Sequence, residues 1–214
     1  ARPEDRFEVP VDGFVIDIVR DGLLIEIQTG NFSSIRSKLT NLVCSHRVRL
    51  VYPIIEEKWI VRSVKRAGTE IIRRKSPKRG RIEDLFWQLV SIPHLLLNRN
   101  FSFEVLMIRG EEVRRYGVRR RVRRGWLLEG RRLLEVLEQD SFAESGDWLG
   151  FLPEGIESFT TSDLADRMNT GRELAQKMAY CLREARMIEL IAKRGRANLY
   201  RVSSSNLVDR VFVI

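Results

Sequence analysis

Cysteine and histidine are almost missing from this chain: two of each, Cys44, Cys181, His46 and His94, in 214 residues. Two cysteines cannot build the disulfide framework of a small secreted domain, and with two isolated histidines they form no Cys/His set at metal-ligand spacing. Both cysteines fall at apolar helical positions, which reads as reduced core residues. No apolar run approaches the roughly 18 residues that a membrane-spanning helix needs, and nothing at the N-terminus resembles a signal peptide. Internal repeats and low-complexity tracts are lacking as well. The expectation is a cytoplasmic protein of one or two domains with no membrane partner.

What the chain does have is positive charge. Lys and Arg number 38 against 29 Asp and Glu, a net charge of +9 in a chain that is 43% hydrophobic. A globular protein with that balance favours polyanionic partners. The excess is local. Residues 1–60 hold nine acidic and eight basic side chains, whereas 62–81 hold nine basic residues and Glu70 alone. The core of that stretch, RRKSPKRGR, contains a Pro and a Gly that break helices, so an exposed basic loop is predicted. Arg73, Arg74, Lys75, Lys78 and Arg79 are its candidate phosphate contacts, which give affinity and register without reading sequence. A second cluster, Arg119 to Arg124, places five arginines in six positions. Ordinary solvated surface is the alternative for both.

The most ordered pattern lies between Phe14 and Leu50. Asp21-Gly22 signals a two-residue hairpin turn, which needs positive φ at both positions. Pairing then runs outward from Arg20 opposite Leu23 and sets Asp17 across from Glu26 on one face, with Gln28 two residues further along. Two facing carboxylates repel unless a cation lies between them, and their oxygens suit a hard ion such as Mg²⁺. A half-exposed hairpin whose polar face meets water explains the same alternation. Asp12-Gly13 is a second such turn, so Phe7–Val11, Phe14–Val19 and Leu23–Thr29 form a meander. An amphipathic helix follows, with Ile35, Leu39, Leu42 and Val43 on one face, and then the β-branched run Val48–Ile54.

Three strands, a helix and a strand, with Asp17 and then Glu26-Ile27-Gln28, resemble the core of the PD-(D/E)XK, or restriction-endonuclease-like, nuclease superfamily. The resemblance implies an α/β fold, a mixed sheet with flanking helices. It implies that Asp17 and Glu26, helped by the Ile27 carbonyl, hold Mg²⁺ or Mn²⁺ for phosphodiester hydrolysis. Gln28 stands where the family carries a lysine; it would orient the attacking water, and Lys38 on the next helix could supply the missing charge. The family core also opens with a helix; only six residues precede Phe7, so that helix is absent or the chain is a truncated product.

Further along, Ile82–Ile92 has a helical pattern, Phe101–Ile108 reads as a strand, and Trp126–Gln139 is predicted to be a helix with Leu127, Leu134 and Leu137 inward. Residues 140–158 are acidic and poorly periodic and are read as a linker between domains at 1–139 and 159–214. In the last segment, Thr160 to Asp163 is a capping arrangement for a helix Ser162–Met168. Thr170 and Glu173 form a capping box for a second helix burying Leu174, Met178, Cys181, Leu182 and Ala185. Two short strands joined by Lys193 to Arg196 complete a pattern that looks like a small winged helix-turn-helix domain. That resemblance implies base reading by the exposed helix face, Arg172, Gln176, Lys177, Tyr180 and Arg183, with Lys193, Arg194 and Arg196 on phosphates. Winged helices also serve as protein-docking modules.

The sequence thus points to a metal-dependent DNA endonuclease with a winged helix, its partner double-stranded DNA, with a homodimer as one arrangement. The alternative is a non-catalytic DNA-binding regulator or scaffold that keeps the nuclease-like fold. RNA binding through the same basic loops is a weaker third reading.

Overall fold

Asp12 and Gly13 have φ of +50° and +80°, Asp21 and Gly22 +47° and +75°, the paired left-handed conformations that turn a chain back on itself in two residues. They join β1 (Arg6–Val11), β2 (Phe14–Arg20) and β3 (Leu23–Ile27) into the expected meander. Arg20 pairs with Leu23, Val19 with Leu24 and Ile18 with Ile25. A 3₁₀ turn, Phe32–Ser34, leads into α1 (Arg36–Leu42), which buries Leu39 and Leu42. The chain re-enters as β4 (Arg47–Val64), parallel to β3 from Leu23 opposite Arg47 to Ile27 opposite Val51. A helical crossover is what a parallel neighbour requires.

The structure, a computed structural model, describes residues 2–64, 70–119 and 122–203, with side chains described outside 63–71 and 117–124. It is α/β with a mixed sheet and several helices, in two compact units. The first unit comprises residues 1–52, 83–104 and 141–214. It holds the meander, α1, the start of β4, and the start of β6 (Phe101–Arg119) beside β4, where the Val48 amide donates to the Asn100 carbonyl at 2.7 Å. It also holds α2 (Phe86–Leu89) and α3 (Ser145–Leu149). Ile16, Phe32, Leu39, Leu42, Leu50, Phe103 and Trp148 are fully buried there.

Residues 140–158, expected as a linker, instead carry α3 and the buried Trp148, Leu149, Leu152 and Ile156. The signal of that stretch is not periodicity but its aromatics: Trp148 stacks on Phe142 at 4.9 Å, has Phe151 beside it and lies 5.9 Å from Phe103. The C-terminal elements belong to the same unit. They are β8 (Ser158–Phe159), α4 (Thr161–Arg167), α5 (Arg172–Glu184), β9 (Ile188–Arg194) and β10 (Ala197–Val202), with the strands ordered β8-β10-β9.

The second unit comprises residues 53–82 and 105–140 and is built from long hairpins. β5 (Glu70–Lys75) pairs antiparallel with β4, Trp59 opposite Lys75 and Val61 opposite Arg73. β7 (Val122–Phe142) folds back along β6. The helix expected over Trp126–Gln139 is therefore a strand. Its leucines have no apolar layer to face, and Leu128, Leu133, Leu134 and Val136 remain exposed. Cross-strand pairs hold it extended: Arg109 with Glu135, Arg115 with Glu129 at 3.8 Å, and Tyr116 edge-on to Trp126 at 5.6 Å. No helix among the described residues is long and apolar enough to cross a membrane.

Gly80 marks where the chain after β5 returns onto β4. Its amide donates to the Ile55 carbonyl at 3.1 Å, and a Cβ there would stand 2.6 Å from that oxygen and 2.8 Å from Ile54 Cγ2. Both contacts lie inside van der Waals limits, one with backbone that cannot swing aside. Gly80→Ala is expected to cost about 1–3 kcal/mol, read as a lower midpoint in thermal unfolding; an unchanged midpoint would mean the return is looser than described.

Candidate functional site

Three of the residues singled out in the sequence meet at the open end of the β2–β3 hairpin. Beyond the Ile18–Ile25 pair, the Ile27 amide donates to Asp17 Oδ2 at 2.7 Å. Glu26 faces inward and is only 5% exposed. Lys38 comes from α1, beside the buried Leu39 that pins the helix down. Its Nζ lies 2.5 Å from Glu26 Oε1 and donates to the Val15 carbonyl at 2.6 Å. Despite that distance, Glu26 Oε1 makes no well-directed hydrogen bond and is otherwise buried without a partner. The contact is an ion pair rather than a hydrogen bond in its geometry.

Burial raises the Glu26 carboxyl above its ordinary pKa; the Lys38 ammonium opposes this, and the negative charge of Asp17 adds to it. Gln28 donates its amide to the Val51 carbonyl at 2.9 Å, while its side-chain oxygen accepts from Thr29 at 3.1 Å. It therefore turns onto its own backbone, and no hydrogen bond among the described residues joins it to Asp17 or Glu26. No group of three His, Cys, Asp or Glu side chains able to hold a metal occurs among the described residues. A divalent ion at this position would take the two carboxylates and complete its shell with backbone carbonyl and water, which is how Mg²⁺ is commonly held. The two carboxylates fit that donor set, with Lys38 Nζ already 2.5 Å from Glu26 Oε1 as the cation such an ion would stand beside.

The basic stretch is less available than its composition suggests. Arg73 Nε donates to Glu111 at 2.9 Å, and its guanidinium covers the Trp59 ring at 4.0 Å. Lys75 donates to Glu57 at 2.8 Å, and Arg79 pairs with Glu56. Only Arg74 and Lys78, of the five candidates, have no carboxylate partner among the described residues. Lys75, Glu57, Arg109 and Glu135 form a ladder of alternating charge across β5, β4, β6 and β7. Hydrogen bonds from Lys75 and Arg109 pull the Glu57 carboxyl down to about 2. Glu56 and Glu57 were legible as partners once β4 and β5 are read as a hairpin, but the sequence reading stopped β4 at Ile54. The side chains of Arg119 to Arg124 lie outside the described residues.

In the C-terminal segment, Thr160 Oγ1 accepts the Asp163 amide at 3.2 Å and Asp163 Oδ2 accepts the Thr160 amide at 2.9 Å, a reciprocal cap for α4. Thr170 does not cap α5. Its amide closes α4 by donating to the Ala165 carbonyl at 3.0 Å, and Gly171 takes the cap position. α5 buries Leu174, Ala175, Met178, Ala179, Cys181 and Leu182, and burial pushes the Cys181 thiol up to about 12. Cys44, expected inside, is exposed just beyond α1. Arg172, Gln176, Tyr180 and Arg183 are exposed as expected. With Arg196 and Asn198 they line a cleft of about 290 Å³.

Two neighbours depart from their expected roles. Lys177 lies over the Trp87 ring of α2 at 5.0 Å and 3.7 Å from Glu173, so packing and an ion pair engage it. Arg194 donates to Asp163 at 3.0 Å and ties the hairpin to the start of α4. Lys193 and Arg196 remain exposed, with Gly195 at φ +62° between their strands.

An uncharacterized protein of Treponema pallidum (strain Nichols) is 32% identical over 204 residues, covering 92% of this chain and 78% of that protein. No solved structure matches the chain. Residues 1–143 match the family described as Domain of unknown function (DUF8091). The chain belongs to that family.

Proposed function

We propose that the chain is a divalent-metal-dependent phosphodiesterase of the PD-(D/E)XK, restriction-endonuclease-like type, acting on DNA that its C-terminal segment holds. The observation that carries this is the meeting of Asp17, Glu26 and Lys38: two carboxylates and an ammonium at one strand end, the lysine arriving from the helix instead of the strand. The strand order supports it. An antiparallel meander, a helical crossover and a parallel fourth strand present the acidic pair at one edge of β2 and β3.

Asp17 and Glu26, with the Ile27 carbonyl, would hold the ion. When bound, it supplies the Lewis acidity that phosphodiester hydrolysis at neutral pH uses. Lys38 balances the two carboxylates and keeps a positive charge where a phosphate oxygen or an attacking water becomes more negative. Gln28 would have to leave its contact with the Thr29 amide to orient the attacking water. For binding, β8, α4, α5 and the β9–β10 hairpin follow the order of a winged helix, in which the second helix enters the major groove. Arg172, Gln176 and Tyr180 on α5 and Lys193 and Arg196 on the hairpin are the groups through which this segment would touch DNA.

A non-catalytic DNA-binding scaffold is the second reading, favoured by one observation: Glu26 is nearly inaccessible beneath Lys38. Incubation with supercoiled plasmid and with duplex oligonucleotides, in Mg²⁺ or Mn²⁺ against EDTA, separates the two. Metal-dependent nicking supports the enzyme; duplex binding with no cleavage under any metal supports the scaffold; neither activity rejects both.

The charge pairing of the basic stretch makes a quantitative claim about binding. Each phosphate contact contributes about 0.9 to the slope of log K against log salt. Replacing Arg74 and Lys78 with Ser should therefore lower the slope by up to about 2 on any duplex. Replacing Arg73, Lys75 and Arg79 should leave it nearly unchanged. If the triple replacement flattens the slope more than the double, the carboxylates do not hold those side chains in solution.

A further inference from the structure

In the second unit, residues 131–136 of β7 are all exposed, Leu133 at 60% and Val136 at 45%. β7 ends the strand order, and among the described residues no strand pairs with its outer side. At 21 residues it is long and contains no proline, and its exposed stretch 131–136 mixes Leu133, Leu134 and Val136 with Arg131, Arg132 and Glu135. A long unpaired strand edge is a template for another strand, and its charges decide which strand it accepts.

We propose that this edge pairs with the same edge of a second copy of the chain, antiparallel about a two-fold axis at Leu133. The choice of a second copy and of this register comes from the charge pattern of Gly130–Glu138, GRRLLEVLE. An axis at Arg132 sets that arginine against itself and Glu129 against the partner's Glu135. An axis at Glu135 opposes two glutamates at its centre, and one at Leu134 brings no opposite charges together. With the axis at Leu133, the leucine meets its own copy. Arg131 then faces the partner's Glu135, and Glu135 faces the partner's Arg131. Both ends of the pair are satisfied by one repeat, as a self-complementary interface requires. Inside each chain Glu135 already bonds Arg109, and Arg131 lies 3.9 Å from Glu112. The new pairs would therefore continue an alternating row instead of burying isolated charges. This inference does not depend on the phosphodiesterase reading.

Sedimentation velocity of the full chain over a wide concentration range tests it. A monomer–dimer equilibrium is expected. Arg131→Glu and Glu135→Arg should each weaken it by at least about tenfold, because like charges then face each other directly at two places. The double variant R131E/E135R should recover the dimer, although it does not recover the pairs within each chain. A conservative second route uses Leu133→Cys in a Cys44→Ser background, which should be joined to itself by a short bismaleimide. A chain that stays monomeric overturns the proposal, and so does a dimer that the single reversals leave intact. Failure of the double variant to recover overturns the Leu133 register. If a reversal unfolds the chain, the Leu133→Cys linkage alone decides.

Discussion

Glu26→Gln is expected to remove divalent-dependent cleavage while leaving the fold in place. The substitution keeps shape and one acceptor oxygen but replaces the other with an NH₂ donor and takes away the charge that would face a metal ion. The loss should be at least about a hundred- to a thousandfold, the scale on which one electrostatic contributor to a transition state acts. Stability should move the other way or not at all. Burial raises the Glu26 pKa above its ordinary value of 4.5. A folded-state pKa raised in this way means the folded protein holds the proton more tightly than the unfolded chain. The group therefore loses stability as pH climbs from 4.5 through its folded value. A neutral glutamine does not carry that penalty, so at neutral pH the variant should melt no lower than the unaltered chain. The same shift predicts that metal-dependent cleavage grows with pH above the usual carboxylate range, since Glu26 must ionise to act. Plasmid nicking with Mn²⁺ alongside a thermal melt gives both readings. Full activity in the variant would remove Glu26 from the site.

The largest stability effect should come from Trp148→Ala. Trp148 is completely buried and its indole N–H donates to the Leu96 carbonyl at 3.1 Å. Its ring stacks on Phe142 and neighbours Phe103 and Phe151. Truncation leaves a large cavity lined by aromatic edges that cannot close by themselves, and a loss of about 3–5 kcal/mol is expected. Trp148→Phe keeps most of the packing but strands the Leu96 carbonyl, an additional cost of about 1–3 kcal/mol for an unpaired buried acceptor. Trp87, 39% exposed, is the contrast: its removal should cost less than Trp148→Phe. Urea unfolding of the three variants orders them, and a Trp148→Ala chain as stable as Trp87→Ala would show that α3 is not packed as described.

What could be read beforehand was what local chemistry dictates. Each Asp-Gly pair needs positive φ at two positions, and that requirement alone set the register placing Asp17 near Glu26. Thr160 and Asp163 announced their cap because both halves lie within four residues. The failures involve distant partners. Leu127, Leu134 and Leu137 have helical spacing, yet Arg109 and Glu112, far back in the sequence, hold that segment as a strand. Thr170 offered a good cap, but α4 ends on its amide and the cap of α5 falls one residue later, at Gly171. Trp148 sits in a stretch with no period at all, and its burial depends on Phe103, Phe142, Phe151 and the Leu96 carbonyl. Lys38 falls between these cases. The helix was legible and the need for a charge was legible, whereas its contact with Glu26 depended on how α1 lies over the sheet.

The charge ladder from Lys75 to Glu135 has a consequence for any polyanion that approaches that face. The strands there carry their own counter-ions, fixed in place. A phosphate that takes Lys75 or Arg109 must evict Glu57 or Glu135, so binding becomes an exchange of one anion for another. Such an exchange frees few dissolved ions and should respond weakly to added salt. It should also take up little proton at neutral pH, because a released Glu57 returns from about 2 to its ordinary 4.5 and stays ionised. Contact at this face would then be recognisable calorimetrically by an affinity almost indifferent to salt, beside the steep dependence expected of free lysine and arginine elsewhere on the chain.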